Sequence, residues 1–502
     1  MQSNPLRFAI LTFNLFFIIS FSFSQNWHTG SGGNQQRNGQ TMTCGPADEM
    51  LLWEGGFNAV IAQQAVIEGN ILVTSRIFNL SQTLQGTFIV AQDLNSGQYL
   101  WTKVLPVDFP NTDWRSRVTA IRDGQVYATR SGNTNKSYLY ALDAETGDSL
   151  WRSEALIDEG STESANFADN GDLIIGNNRS IVRIDHTNGQ TLWEVSRSTP
   201  TSNGQEVAIY GDRGYYWEPT PRGPEISVVN IESGTYLYSS GALSPGLIQQ
   251  LTPFVGPDGL IYAPRSMNNP DTDSLYVLED TGSELFIRWT APIGFVPFST
   301  SGISPVDGSI YTYSRSGKVI RLLPDYGDPV DSSMTILTGT SSSPRMAIDA
   351  AGIVYVTNGE FDAGKFYVFN PDLTLRWSTP VRNVNVGGPA VGADGTLVVC
   401  GIGMDVRAYR GAKTSAIDER VVEEIQIYPN PVSERCQLKL NKDIPSDLEI
   451  WIHDQNQKLV FNQSVEQDQM IEINVSHLGA GPYVINVINE NQILASGILL
   501  KI

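Results

Sequence analysis

A short cassette recurs along this chain: an Asp or Asn, a Gly four residues later, and an aromatic four residues after that. It reads AQDLNSGQYLW at 91–101, ALDAETGDSLW at 141–151, RIDHTNGQTLW at 183–193 and VNIESGTYLY at 229–238. A fixed internal period means repeated supersecondary units, each unable to bury its apolar face alone and stable only when stacked on its neighbours. The repeat therefore constrains architecture first. Chemistry must reside in the loops that such a scaffold carries.

The flanking sequence repeats as well. A turn carrying Gly leads into a run rich in Val, Ile and Tyr: FADNGDLIIG at 167–176, VGPDGLIYA at 255–263, SPVDGSIYTY at 304–313, IDAAGIVYV at 348–356 and VGADGTLVV at 391–399. Asp-Gly or Asn-Gly between β-rich runs marks a hairpin, because the turn needs a positive φ that Gly adopts without steric cost. Each unit thus reads as four antiparallel strands, with the cassette supplying the third strand, the turn and the fourth strand. The fourth-strand anchors fall at Trp53, Trp101, Trp151, Trp193, Tyr238, Trp289, Leu337 and Trp377. Their spacing of about 40–50 residues is that of a four-stranded propeller blade. A broad flat ring suits these positions, since it can pack between neighbouring twisted sheets.

The last unit, 387–410, supplies three strands and stops, while the segment around Trp53 is a fourth strand without a preceding three. Pairing the two closes the ring and leaves no open sheet edge. The expected fold is all-β, an eight-bladed β-propeller. Seven blades is the alternative, because the units ending at Tyr238 and Leu337 are degenerate.

The pattern A-x-D-x-x-T-G-x-x-x-W is complete at Ala141, Asp143, Thr146, Gly147 and Trp151. It resembles the repeat of the quinoprotein alcohol dehydrogenase-like propellers, the PQQ-like repeat. The segment WHTGSGGNQQRNG at 27–39 is also similar to the leading segment of that superfamily. The resemblance spans 27–410, strongly in three units and loosely elsewhere, and implies a fold more than an activity. Enzymes of that superfamily hold PQQ and a calcium ion with acidic and amide residues, usually beside an adjacent Cys pair. This chain has no adjacent cysteines and lacks the long insertions that build that site, so no cofactor is expected.

After Gly411 the repeat ends. Residues 412–424 are polar and charged and read as a linker. Short strands then reappear at 424–428, 436–440, 448–453, 458–462, 470–475, 483–488 and 493–501, which suggests a small immunoglobulin-like β-sandwich over 425–502. The runs IYPNPVS at 427–433 and LGAGPYVINV at 478–487, with the terminal run ending at Lys501, resemble the type A C-terminal sorting domain of type IX secretion. The resemblance implies recognition by the outer-membrane translocon through 425–502. An ordinary accessory sandwich is the alternative.

At the other terminus, Arg7 precedes an apolar run from Phe8 to Phe23, and Ser22 and Ser24 are small residues before Gln25. Residues 1–24 therefore read as a secretory signal peptide, with a retained anchor as the alternative. The expected domains are this peptide, the propeller at 25–411, the linker and the tail. The expected location is the cell surface or medium after Sec export to the periplasm. The charge of -20, from 33 basic against 53 acidic residues, argues against nucleic acid, which needs a basic footprint. Three cysteines make neither a disulfide framework nor a zinc site. Cys44 and Cys400 would both fall in the blade where the ring closes, where a bridge can form.

Signals of catalysis are sparse. Of the four histidines, only His186 lies within the blades, in a hairpin, and there is no GxSxG elbow or His cluster. Paired carboxylates for glycoside hydrolysis stay open, since their separation in space is invisible in sequence. Arginine recurs where the second strand ends, at Arg76, Arg130, Arg179, Arg265 and Arg315, four of them followed by Ser. That position opens the loop between strands two and three. Loops after the fourth strand emerge on the same face and bring Trp114, Arg115 and Trp217 nearby. A ring of arginines with aromatics can hold an anionic glycan through bidentate contacts and stacking. Arginines that instead bond loop carbonyls are the competing reading. The functional expectation is a secreted, non-catalytic binding propeller for polysaccharide or a surface protein. The alternative is a secreted quinone-dependent or carbohydrate-active enzyme that uses the propeller funnel.

Overall fold

The computed structural model describes residues 26–501 apart from 56–63, 78–86, 114, 133–134, 159–164, 202–205, 244–251, 266–272, 295–298, 338–342, 361–362, 383, 385–386, 402–405, 412–422, 425, 440–446, 454–458, 467–469 and 490–491. The signal-peptide expectation at 1–24 and most of the linker lie outside the described residues.

Eight four-stranded antiparallel sheets follow one another among these residues. The second is representative: Arg117–Arg122, Gln125–Thr129, Ser137–Asp143 and Ser149–Ile157 pair in chain order. Its first three strands are almost wholly buried, while the fourth is mostly exposed or half-buried, with only Ser153 and Ile157 buried. That gradient is what a blade produces, with the innermost strand at the axis and the fourth at the circumference. Apolar clusters join successive blades. Val66 and Val73 pack with Val126 and Ala128, Tyr127 with Phe167, Tyr215 with Val255, and Phe254 with Ile303.

The ring closes as the sequence predicts. Leu51–Gly55 completes the sheet of Pro389–Val391, Leu397–Cys400 and Val406–Tyr409, with Trp53 opposite Ala408 and Glu54 opposite Arg407. Ile67 of the first blade and Val391 of the last share one core, so the circle is sealed by packing as well as by hydrogen bonds. One anchor is corrected. Cross-strand register places Trp101 opposite Ala91, Trp151 opposite Ala141 and Trp377 opposite Val368; in the sixth blade the equivalent pair is Arg321 and Asp331. Leu337 lies beyond that strand, buried in the core. The Gly-plus-four spacing from Gly327 already points to Asp331, and only a search for an apolar residue displaced it.

The leading segment has a role that sequence spacing did not disclose. Carbonyls of Trp27, His28, Gln35, Gln36, Asn38 and Gly39 accept hydrogen bonds of 2.7–2.9 Å from the backbone N–H groups of Ile67, Ile121, Ile209, Val255, Ile303 and Ile348. Each donor lies at or near the end of the first strand of its blade. Asn166 of the third blade also donates to the Gln35 carbonyl, at 2.7 Å. Residues 27–39 therefore run around the axis along the inner strands, on the face formed by the turns between strands one and two. Inner-strand donors, which have no further strand to pair with, are satisfied by this segment.

The tail forms two sheets around one core. Glu423–Glu424, Gln492–Lys501, Gly481–Asn489, Asp447–His453 and Leu459–Glu466 make the larger, and Gln426–Tyr428, Arg435–Lys439 and Met470–Asn474 the smaller. Cys436, Leu438, Ile450, Ile452, Ile473, Ile485, Val487 and Leu499 fill the space between them. The first expected strand is divided between the sheets, with Glu423–Glu424 pairing in parallel with Ala495 and Ser496.

Candidate functional site

The propeller presents two faces with different chemistry. On the turn face, the cassette explains itself. The Asp143 carboxylate accepts from the N–H groups of Glu145 and Thr146 and from the Thr146 hydroxyl, at 2.8–3.1 Å. Chiefly because of the Thr146 N–H, it titrates below the ordinary carboxylate value. Gly147 then turns the chain at φ 74°. A β-carbon there would lie 2.7 Å from the indole of Trp101 in the preceding blade. The Trp101 Nε1 donates to the Ala144 carbonyl at 2.9 Å, inside the same turn. Trp53, Trp151, Trp193 and Trp289 repeat the arrangement on Gly97, Gly189, Gly234 and Gly327. The recurring Gly and Trp thus belong to different blades and lock one to the next.

Three junctions depart from this; at the seventh-to-eighth, Trp377 covers no glycine among the described residues and its Nε1 has no hydrogen-bond partner. Leu373, with φ 63°, takes the Gly position in the seventh blade, and the residue facing it from the sixth is Asp331 rather than Trp. At the fourth-to-fifth junction Tyr238 replaces Trp, and its hydroxyl donates to Asp280 at 2.6 Å. The sequence signal was present: Gly282 and Trp289 are separated by seven residues in place of four.

On the opposite, loop face, the expected arginines divide. Arg130 is 0 % exposed; its Nε and Nη2 donate to the Leu105 carbonyl at 3.1 and 3.0 Å. Burial lowers its pKa, with nearby Asp113 opposing the shift. Arg76 is also buried and donates to Thr74 Oγ1 at 2.8 Å. Arg265 is 2 % exposed. All three are buried rather than solvent-facing, which corrects the expectation for Arg130 and Arg265. Arg130 instead fastens the loop leaving the preceding blade. Arg179 and Arg315 are exposed and Arg115 is half-buried. The Arg115 guanidinium is pushed down to about 10 by burial, assisted by Arg117. Trp217 is likewise corrected: it sits within the strand Arg213–Thr220, 0 % exposed, in the core between the fourth and fifth blades. Trp114 lies outside the described residues.

The cysteines are thiols, so the Cys44–Cys400 bridge is not formed. Topology gives the reason. The neighbouring Gly45 N–H bonds Asp349, in a turn between strands one and two, whereas Cys400 ends a second strand and points to the other face. Asp172, Asp185 and His186 bring potential ligand atoms within 4.8 Å of one another. Asp172, however, already pairs with Arg183 at 2.9 Å and with His186 Nδ1 at 2.8 Å. Burial would raise this carboxyl, but its hydrogen bonds hold it below the usual range. The cluster is a structural ion pair network.

Residues 86–240 match the family model described as outer membrane protein assembly factor BamB, and residues 426–501 match the secretion system C-terminal sorting domain. The chain carries PQQ-like propeller repeats and a type IX sorting tail. The Dos1 propeller is similar in fold, with 10% identity and TM-score 0.51 over 73% of this chain and 96% of that one. BamB from Moraxella catarrhalis shares 15% identity at TM-score 0.46, over 69% of this chain and 96% of that one. A europium-containing methanol dehydrogenase shares 12% at 0.40, over 75% and 89%. No curated protein sequence matches. The sorting tail marks this PQQ-like propeller for type IX secretion to the cell surface or medium. Among the described residues no helix is long and apolar enough to cross a membrane.

Near the axis, buried amides bond one another and the backbone. Asn34, Asn38 and Gln40 bond one another at 2.7–3.3 Å, and Gln64 bonds the Pro389 carbonyl at 2.7 Å. Gln40 Nε2 and Gln64 Oε1 are buried with no hydrogen-bond partner.

Proposed function

We propose that this PQQ-like propeller is a non-enzymatic binding scaffold, carried out of the cell by its tail, that engages a polysaccharide or a surface protein through its loop face. The observation that carries this reading is the pair of exposed loop-face arginines, set against a turn face whose inner edge the chain itself occupies. Carbonyls of residues 27–39 accept hydrogen bonds from the N–H donors of six inner strands there. On the loop face, Arg179 and Arg315 project into solvent from two separate blades. Such exposed guanidiniums suit anionic groups, which they can hold in a bidentate manner.

The test is retention of purified protein on an immobilised anionic polysaccharide, with Arg179→Glu and Arg315→Glu combined in one variant. Retention should be abolished, because both residues are exposed and the change should not disturb folding. Unchanged retention overturns the loop-face reading, and dye-linked alcohol oxidation by the wild type overturns the non-enzymatic part. A chain ending at residue 424 should stay in the periplasm; normal delivery would remove the role given to the tail.

A further inference from the structure

Beside the fourth-to-fifth junction, where no indole covers the turn, the turn face carries a cleft of about 560 Å³. That size lies within the range of small-ligand sites. Its floor is a fixed polar network. Asp280, with its side chain only 6% exposed, pairs with Arg213 Nη1 at 2.7 Å. It also accepts from the Tyr215 hydroxyl at 2.8 Å, the Tyr238 hydroxyl at 2.6 Å and the Gly282 N–H at 2.8 Å. Burial would raise this carboxyl, but these donors hold it below its ordinary value. Arg213 is thereby held in place by an ionised partner.

One wall is aromatic. Tyr210 lies against Gly259, where a β-carbon would come within 3.0 Å of the ring, and its hydroxyl donates to the Pro257 carbonyl at 3.3 Å. The ring is therefore supported from behind, while the residue remains 38% exposed. The rim carries Asp212, Asp258 and the exposed pair Glu279 and Arg288, which are 3.0 Å apart.

A flat ring backed by a turn is a stacking platform for the apolar face of a pyranose. Carboxylate and guanidinium groups around it can bridge adjacent hydroxyls through charge-assisted pairs of hydrogen bonds. Groups already held by neighbours lose little further freedom on binding. The cleft lining holds four carboxylates, Asp212, Asp258, Glu279 and Asp280, against two guanidiniums, Arg213 and Arg288. An anionic glycan is therefore disfavoured here. We infer that this cleft binds a neutral saccharide, with Tyr210 stacking on a pyranose ring and Glu279, Arg288 and Arg213 reading its hydroxyls. The inference goes beyond the loop-face reading and does not depend on it, because the face and the ligand charge both differ.

The test applies the purified full chain to immobilised neutral oligosaccharides of glucose, mannose, galactose or xylose, with a polyuronate as the anionic arm. The wild type should be retained by at least one neutral oligosaccharide. Tyr210→Ala and the double variant Glu279→Ala, Arg288→Ala should each weaken that binding at least tenfold. Both alter exposed side chains, and an unchanged urea midpoint establishes that they fold. The Arg179→Glu, Arg315→Glu variant should bind the neutral ligand as the wild type does. The inference is overturned if no neutral oligosaccharide is retained, if only the polyuronate is, or if the folded cleft variants bind normally. Loss of neutral binding in the loop-face variant alone also overturns it and moves the saccharide to the other face.

Discussion

Replacing Gly147 by Ala tests whether the glycine serves the turn alone or the indole of the neighbouring blade. Two costs are separable. The position has φ 74°, and a left-handed backbone costs an L-residue about 1–2 kcal/mol. The added β-carbon would also stand 2.7 Å from the Trp101 ring, so the indole must shift, and overpacking of this kind costs about 1–3 kcal/mol. The expected loss is about 2–5 kcal/mol. Gly124 in the same blade supplies the control: its φ is also 74°, but nothing lies within 4 Å of a β-carbon there. Gly124→Ala should cost only the backbone part, about 1–2 kcal/mol. Urea denaturation followed by tryptophan fluorescence and circular dichroism together, with coincident transitions, gives the comparison. Equal destabilisation by the two substitutions would refute the interblade account and leave the glycine a turn residue only.

Two further outcomes follow from buried groups. Asp280→Asn removes the charge opposite Arg213 and should cost about 1.5–3 kcal/mol at neutral pH. Because the folded carboxyl titrates below its ordinary 3.8, its stabilisation is present above that value and is lost as pH falls through the lower folded pKa. The difference in urea midpoint between wild type and variant should therefore shrink in acid, and a constant difference would contradict the assignment. For the cysteines, burial pushes the Cys436 thiol up to about 11 and Cys400 is also buried, whereas Cys44 is half-exposed. A maleimide at neutral pH should modify Cys44 first and reach the other two only on unfolding; early modification of Cys436 in the folded protein would oppose this.

Much of the scaffold was legible because it depends on local chemistry. An Asp or Asn that caps a turn, a Gly that permits positive φ and a Trp four residues later are each readable within a dozen residues. Their repetition, together with three orphan strands at one end and one at the other, determined the repeat architecture and its closure through Trp53. Tertiary structure decided what those residues touch. Trp101 covers a glycine in the following blade, a relation that no single unit contains. Arg130 and Arg265 occupy a position read as solvent-facing but are buried, and Arg130 serves the Leu105 carbonyl, since a buried carbonyl needs a donor as much as an anion does. Residues 27–39 look like a leader of the repeats and become the acceptors of the inner strands, because inner-strand N–H groups around a ring require acceptors from somewhere. The cleft beside Tyr210 was hidden for the same reason: its residues come from two blades, and their meeting follows from the missing indole rather than from any motif.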